Sequence, residues 1–232
     1  MASYESAIPY IQKAEGGLSR ATTDTASKSP SPYEYSGKTG WHTNRGITWD
    51  TFKGLSGQGG YAVNKDNFIF MPDNIWLKIY RVGFWDAARG DLYNSQPIAN
   101  AVVDWAWASG TGQRGSKGAL IRDLAKKGII ATNFDTIAAG FNELVKKEGE
   151  QKVFNDLIDE RKRFFLSLGQ PANEKGWLSR METLRQQGMS LVGRGATATI
   201  EAVKKHPYIT IAVVAGMGIA FFVLLKTLKQ AK

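Results

Sequence analysis

Ala14-Glu15-Gly16-Gly17 follows an amphipathic run that begins at Tyr4. Apolar residues recur in that run at helical spacing, so the sequence predicts a helix over residues 4–14. The two glycines predict its end, because glycine readily takes the left-handed conformation that closes a helix. Glu15 then lies at the negative end of the helix dipole, which disfavours ionisation and prepares the carboxyl group to donate a proton. The alternative is an exposed glutamate in front of a glycine cap.

The composition indicates a folded domain with an anionic partner. The chain has 232 residues, of which 43% are hydrophobic, and this length suits one domain of ordinary size with an appendage. The formal net charge of +9 favours nucleic acid, a lipid surface or an anionic wall polymer as the partner. No nucleic-acid-binding motif is visible, so we expect no nucleic acid partner. Cysteine is absent and the two histidines, His42 and His206, lie far apart, so we expect no metal site and no cofactor.

The C-terminal region predicts a membrane anchor. Residues 208–225, from Tyr208 to Leu225, carry no charge and as a helix span roughly 27 Å, close to the hydrocarbon thickness of a bilayer. Lysines flank both ends, so the positive-inside rule leaves the orientation open. The alternative is a buried core helix. We predict a domain over residues 1–187, a linker and juxtamembrane helix over 188–206, and an anchor with a basic tail over 207–232. No secretory-signal pattern is visible at the N-terminus.

The rest of the sequence predicts a mainly α domain with one small irregular or β lobe. Residues 19–42 are rich in Ser, Thr, Pro, Gly and Lys, which favours a long irregular arm. The nearly all-apolar residues 97–108 predict the central buried helix. Residues 54–60 predict a glycine-rich loop, and residues 67–71 a short extended piece. Helical spacing predicts further helices at residues 47–54, 72–84, 117–127, 133–147, 152–167 and 177–187.

Five short motifs occur in an order typical of one known family. They are Ala14-Glu15-Gly16-Gly17, His42-Thr43-Asn44-Arg45-Gly46-Ile47-Thr48, Phe84-Trp85-Asp86, Val103-Asp104-Trp105-Ala106-Trp107-Ala108-Ser109-Gly110 and Gly176-Trp177-Leu178-Ser179-Arg180. Together they resemble glycoside hydrolase family 108, peptidoglycan hydrolases of the lysozyme superfamily, over about residues 6–184. The resemblance implies a bilobal, mainly α lysozyme-like fold. It also implies cleavage of the β-1,4 bond between N-acetylmuramic acid and N-acetylglucosamine, with Glu15 as the catalytic acid.

Such chemistry needs a second carboxylate, for which the candidate is Asp24. It would stabilise the oxocarbenium-like transition state or orient water. Asp24 lies nine residues after Glu15, and phage-type lysozymes use a similar spacing. The alternative is an aspartate that caps a turn among threonines.

The motif around residue 44 provides the candidate substrate-binding side chains. Thr43, Asn44 and Thr48 would line the cleft opposite Glu15, where hydroxyl and amide groups hydrogen-bond the acetamido groups of the sugar. The alternative is a turn in which Thr48 caps the next helix. His42 is either an auxiliary polar group of the site or a residue that hydrogen-bonds a loop.

For Asp104 and for four tryptophans, the sequence is compatible with either a place in the cleft or a place in the core. Asp104 stands in an apolar stretch, so it either lines the cleft or is paired internally. Trp41, Trp85, Trp105 and Trp107 either stack on sugar rings or pack in the core, and the apolar neighbours of the last two favour the core for them.

We therefore predict a membrane-anchored muramidase that acts on peptidoglycan. A lytic transglycosylase and an inactive peptidoglycan-binding module are the alternatives. Family members are common in phages, so the resemblance implies a virion-associated or lysis protein with possible virion partners. Its C-terminal anchor would lie in a viral internal membrane or in the host cell membrane.

Overall fold

The computed structural model describes residues 1–12 and 16–193, and Met1–Val192 forms one compact unit. In that part of the chain the structure is mainly helical with one small antiparallel sheet, as predicted. The helices are α1 (Tyr4–Gln12), α2 (Trp49–Gly59), α3 (Asp73–Tyr80), α4 (Gln96–Ser109), α5 (Ser116–Lys126), α6 (Phe134–Glu148), α7 (Glu150–Leu166) and α8 (Pro171–Met189). The strands are β1 (Thr43–Asn44) and β2 (Ile47–Thr48).

Helix α4 is the centre of the core, which confirms the prediction for residues 97–108. The Ser95 hydroxyl accepts a hydrogen bond from the Ile98 N–H at 3.3 Å, and Pro97 lies in the first turn, so the helix is both capped and started by its sequence. Helices α1, α5, α7 and α8 all pack against it. Trp105 is fully buried, and its ring centroid lies 5.4 Å from that of Phe164 on α7.

The glycine-rich stretch after Trp49 is helical, so the predicted loop over residues 54–60 is wrong. Helix α2 runs through Gly59 and ends where Gly60 takes a φ of +61°. Each internal glycine costs about 1 kcal/mol relative to alanine. Packing of Trp49 and Phe52 into the core offsets that cost, and the Tyr61 hydroxyl donates to the Phe52 carbonyl at 2.6 Å.

Residues Asp66–Phe70 form a single π-helical turn, so the predicted extended piece is also wrong. The turn is held by the side-chain amide of Asn44, which donates to the carbonyls of Phe68 and Ile69 at 2.7 and 2.9 Å. A contact between residues more than twenty positions apart therefore sets the local backbone, which local sequence patterns do not report.

The arm between α1 and the sheet is irregular, as predicted. It contains a short 3-10 turn, Thr25–Lys28, and two isolated bridges, Ser19 with Thr43 and Tyr35 with Lys38. No helix among the described residues is both long and apolar enough to cross a bilayer. The predicted anchor, residues 208–225, lies outside them, and the division into three segments stays a prediction.

Candidate active site

The two motifs proposed to face the substrate adjoin each other in the fold. The Arg45 N–H donates to the Gly17 carbonyl at 3.3 Å, and the Ser19 N–H donates to the Thr43 carbonyl at 2.7 Å. The chain that follows Glu15 is therefore bonded to the first strand of the hairpin. Glu15 itself lies outside the described residues, so its catalytic role stays a prediction.

The hairpin that carries the second motif turns in two residues. Asn44 pairs with Ile47, and Arg45 and Gly46 between them have φ values of +49° and +77°. Positive φ at both positions is typical of the type I′ turn that suits the twist of a hairpin. Arg45 is held in this uncommon conformation because the Trp76 indole donates to its carbonyl at 3.0 Å and its guanidinium pairs with Asp73 at 2.6 Å.

Asn44 and Thr48, predicted to bind substrate, hold the fold in place. Asn44 is buried, and its amide donates both hydrogen bonds to the backbone of the π-helical turn. The Thr48 hydroxyl accepts from the Thr51 N–H at 3.2 Å, so the predicted helix cap is confirmed. Substrate contacts by either residue stay a prediction.

His42 is fully buried and joins the hairpin to the arm. Its Nε2 lies 3.1 Å from the Ala21 carbonyl, and its Nδ1 lies 2.8 Å from the Thr43 hydroxyl. A carbonyl only accepts, so Nε2 carries the proton, and in the neutral ring Nδ1 accepts from Thr43. The geometry supports the loop-bonding alternative for His42, with Thr43 as its partner.

Asp24 is exposed at the start of the 3-10 turn in the arm. Its Oδ1 accepts from the Ala26 N–H at 2.9 Å, which is the capping alternative, and its own N–H donates to Ala21 at 3.1 Å. The Ala21 carbonyl thus accepts hydrogen bonds from both Asp24 and His42, so the arm brings these two predicted residues together. We call the arm, the hairpin and the π-helical turn, residues 18–48 and 66–70, the hairpin lobe. A catalytic role for Asp24 stays a prediction.

Asp104 is internally paired with two arginines that come from α7 and α8. Arg161 Nη2 lies 2.6 Å from Oδ2, and Arg180 Nη2 lies 2.7 Å from Oδ1. Burial by itself raises the pKa of Asp104, but the two guanidinium groups outweigh burial and lower the pKa from 3.8 to about 2. Asp104 is therefore ionised at neutral pH. The partners lie 57 and 76 residues away in sequence, so spacing carries no signal for them.

Asp104 also lines a cavity of about 390 Å³ between α1, α4 and α8. Tyr10 and Ile11 of α1 form one wall, and these residues lead towards Glu15 along the chain. Hydroxyl, amide and guanidinium groups line the opposite side, so the cavity offers donors and acceptors to a polar ligand. These groups belong to Asn100, Ser179, Arg180, Thr183 and Gln187. Among the described residues no cluster of three potential metal ligands occurs.

Comparison with known proteins gives one family and a structural neighbour. Residues 8–110 match the family model described as glycosyl hydrolase 108. That match includes Glu15, Asp24, the hairpin and Asp104, and it ends before Gly176-Trp177-Leu178-Ser179-Arg180.

Among solved structures, SagA of Brucella abortus aligns with a TM-score of 0.57 and 25% identity, over 81% of this chain and 94% of that chain. No curated protein matches the sequence significantly. Residues 8–110 are thus similar to glycosyl hydrolase family 108, which supports a glycoside hydrolase of the class that acts on peptidoglycan.

Proposed function

We propose that this chain is a peptidoglycan hydrolase that cleaves the β-1,4 bond between N-acetylmuramic acid and N-acetylglucosamine. The observation that carries the proposal is the match of residues 8–110 to glycosyl hydrolase family 108. The hydrogen bonds that join Gly17 to Arg45 and Ser19 to Thr43 support it, because they hold the chain beside Glu15 against the hairpin motif.

In this proposal Glu15 is the general acid. A glycosidic oxygen is a poor leaving group until it is protonated, so a carboxylic acid must supply a proton as the bond breaks. Asp24 is the proposed second carboxylate, and it would stabilise positive charge on the sugar or orient water. Asp104 is excluded as a proton donor at neutral pH, since its pKa is about 2.

Clearing of purified peptidoglycan tests the proposal. Glu15→Gln keeps the size of the side chain and removes the acid, so we expect clearing to slow on the order of 100-fold or more. Glu5→Gln is the matched control, because Glu5 is an exposed glutamate on α1. Equal clearing by the wild-type protein and Glu15→Gln would refute the assignment of Glu15.

Mass spectrometry of the released fragments identifies the reaction. A hydrolase adds water and leaves reducing ends, whereas a lytic transglycosylase closes an anhydro ring. Reducing muramic acid ends support the proposed bond and reaction, and anhydro ends replace the hydrolase with the transglycosylase.

We also propose that residues 208–225 anchor the enzyme in a membrane, as part of a phage virion or as a lysis protein. The uncharged run flanked by lysines supports this proposal. Proteomics of purified phage particles before and after detergent stripping tests it. Loss of the protein with the lipid fraction supports a viral internal membrane, and its absence from particles favours a lysis enzyme at the host membrane.

A further inference from the structure

The hairpin lobe carries a surface cluster of three aromatic rings, which we call the aromatic cluster: Tyr35, Trp41 and Phe70. The Tyr35 ring lies edge-on to both others, with centroid distances of 6.1 Å to Trp41 and 5.5 Å to Phe70. Phe70 is 59% exposed and Tyr35 is 37% exposed. By contrast, Trp85 and Trp105 are fully buried, so core packing accounts for them.

Hydrogen bonds hold the backbone that carries these rings. Tyr35 and Lys38 exchange backbone hydrogen bonds of 2.9 and 3.1 Å across a tight turn, and the Trp41 indole donates to the Lys38 carbonyl at 3.0 Å. Phe70 ends the π-helical turn that the Asn44 amide holds. Met71 follows with a φ of +21°, a strained value for a non-glycine residue. Phe70 is therefore an exposed ring at the end of a turn that the protein itself holds in place.

The surroundings of the cluster suit a polysaccharide with carboxylates. The Arg20 guanidinium lies 5.7 Å from the centre of the Trp41 ring, and Lys38 is exposed nearby in sequence and structure. A pyranose ring has an apolar face of C–H groups that packs on aromatic rings, while its hydroxyls stay hydrated. The peptide stems of peptidoglycan carry the carboxylates that these cations would attract.

The cluster is also continuous with the candidate site. Trp41 directly precedes His42, and Arg20 directly follows Ser19, whose backbone is bonded to Thr43. A glycan strand that reaches the hairpin can therefore extend onto the aromatic cluster. This continuity favours a glycan over a lipid surface as the ligand.

We propose that the aromatic cluster is a glycan-binding subsite on which sugar rings of peptidoglycan stack, with Arg20 binding a stem carboxylate. The identity of the polymer rests on the proposed function, whereas the stacking surface stands on the geometry of the rings. Because the backbone that carries the rings is already ordered, binding costs less conformational entropy than it would on a flexible loop.

Binding by the full chain tests the proposal. Each variant is made in the Glu15→Gln background, and its dissociation constant is measured by co-sedimentation with insoluble peptidoglycan. We expect Phe70→Ala to weaken binding about threefold to tenfold, the factor that one aromatic contact represents. Phe70→Tyr keeps the ring and should bind as the parent does. Ile130→Ala is the control, because Ile130 is a large apolar residue that is 90% exposed on another loop.

Two further probes separate the ligand classes. Chitotetraose has sugar rings that can stack but carries no carboxylate. We therefore expect Phe70→Ala to weaken binding of both chitotetraose and peptidoglycan, and Arg20→Gln to weaken binding of peptidoglycan alone. Vesicles of phosphatidylglycerol and phosphatidylcholine test the lipid alternative. Unchanged binding of both glycans by Phe70→Ala, or a loss confined to vesicles, would overturn the subsite. Activity of Glu15→Gln decides the proposed function separately, because these binding measurements do not depend on cleavage.

Discussion

Replacing Asp104 with asparagine should destabilise the domain more than any exposed acidic substitution. The change removes the carboxylate that joins Arg161 and Arg180. Arg161 is fully buried, and its Nε and Nη1 atoms have no hydrogen-bond partner among the described residues. Breaking a buried ion pair by removing one partner costs about 3–5 kcal/mol, because the remaining charge stays buried without compensation.

The pH dependence of stability gives a second estimate of how much the ionised Asp104 carboxylate contributes to the free energy of unfolding. Folding lowers the pKa of Asp104 from 3.8 to about 2, so the ionised form stabilises the folded state. That contribution is fully present above pH 4 and is lost as the pH falls through the folded pKa. At about 1.36 kcal/mol per pKa unit, the loss comes to roughly 2 kcal/mol between pH 4 and pH 2.

Urea unfolding followed by circular dichroism measures both effects in the full chain. We expect Asp104→Asn to lower the free energy of unfolding by about 3–5 kcal/mol at pH 7 and to remove part of the decline below pH 4. Asp156→Asn is the matched control, since Asp156 is a half-exposed partner of Lys152 on α7 and should change stability by less than about 1 kcal/mol. Adding Arg161→Met to Asp104→Asn should recover stability, because it removes the stranded charge. A loss below 1 kcal/mol for Asp104→Asn, with the acid decline unchanged, would refute the reasoning.

Two further substitutions test how the hairpin lobe is held. Asn44→Ala removes two buried hydrogen bonds to the π-helical turn and should lower the free energy of unfolding by about 2–3 kcal/mol. Urea unfolding measures this loss against Asn94→Ala, since Asn94 is an exposed loop residue that bonds Asn142 through its backbone N–H, and a change within about 0.5 kcal/mol of the parent for Asn44→Ala would contradict this role. Thr48→Ala removes the cap of α2 and should cost about 1 kcal/mol, while Thr48→Ser retains the cap; equal thermal stability of the two variants would show that the hydroxyl does not act as a cap.

The sequence predicts those parts of the fold that depend on local pattern. The apolar run at residues 97–108 becomes α4, and the Thr48 cap begins α2, because burial and capping act within a few residues. The π-helical turn Asp66–Phe70 escapes prediction because Asn44 imposes it from a distant strand. The arginine partners of Asp104 escape for the same reason, since they come from α7 and α8.

For the candidate site, sequence patterns identify residue types better than they identify roles. His42, Asn44 and Thr48 lie in a motif with groups suited to sugar, yet their side chains bond the protein's own backbone and hydroxyls. Each of these residue types serves both purposes, and only tertiary geometry separates them. The clustering of Phe70 with Tyr35 and Trp41 likewise leaves no local sequence pattern, because Phe70 follows α2 in the chain whereas the other two residues precede it.

The pairing of Asp104 bears on where this domain can be divided. The match to the glycosyl hydrolase 108 family model ends at Gly110, yet Arg161 and Arg180 come from α7 and α8, later in the chain. A fragment that ends at Gly110 would leave the Asp104 carboxylate without its two arginine partners, on a face of α4 that α7 and α8 cover in the whole domain. The later helices thus complete the core around α4, and we expect a stably folded fragment of this domain to extend through α8.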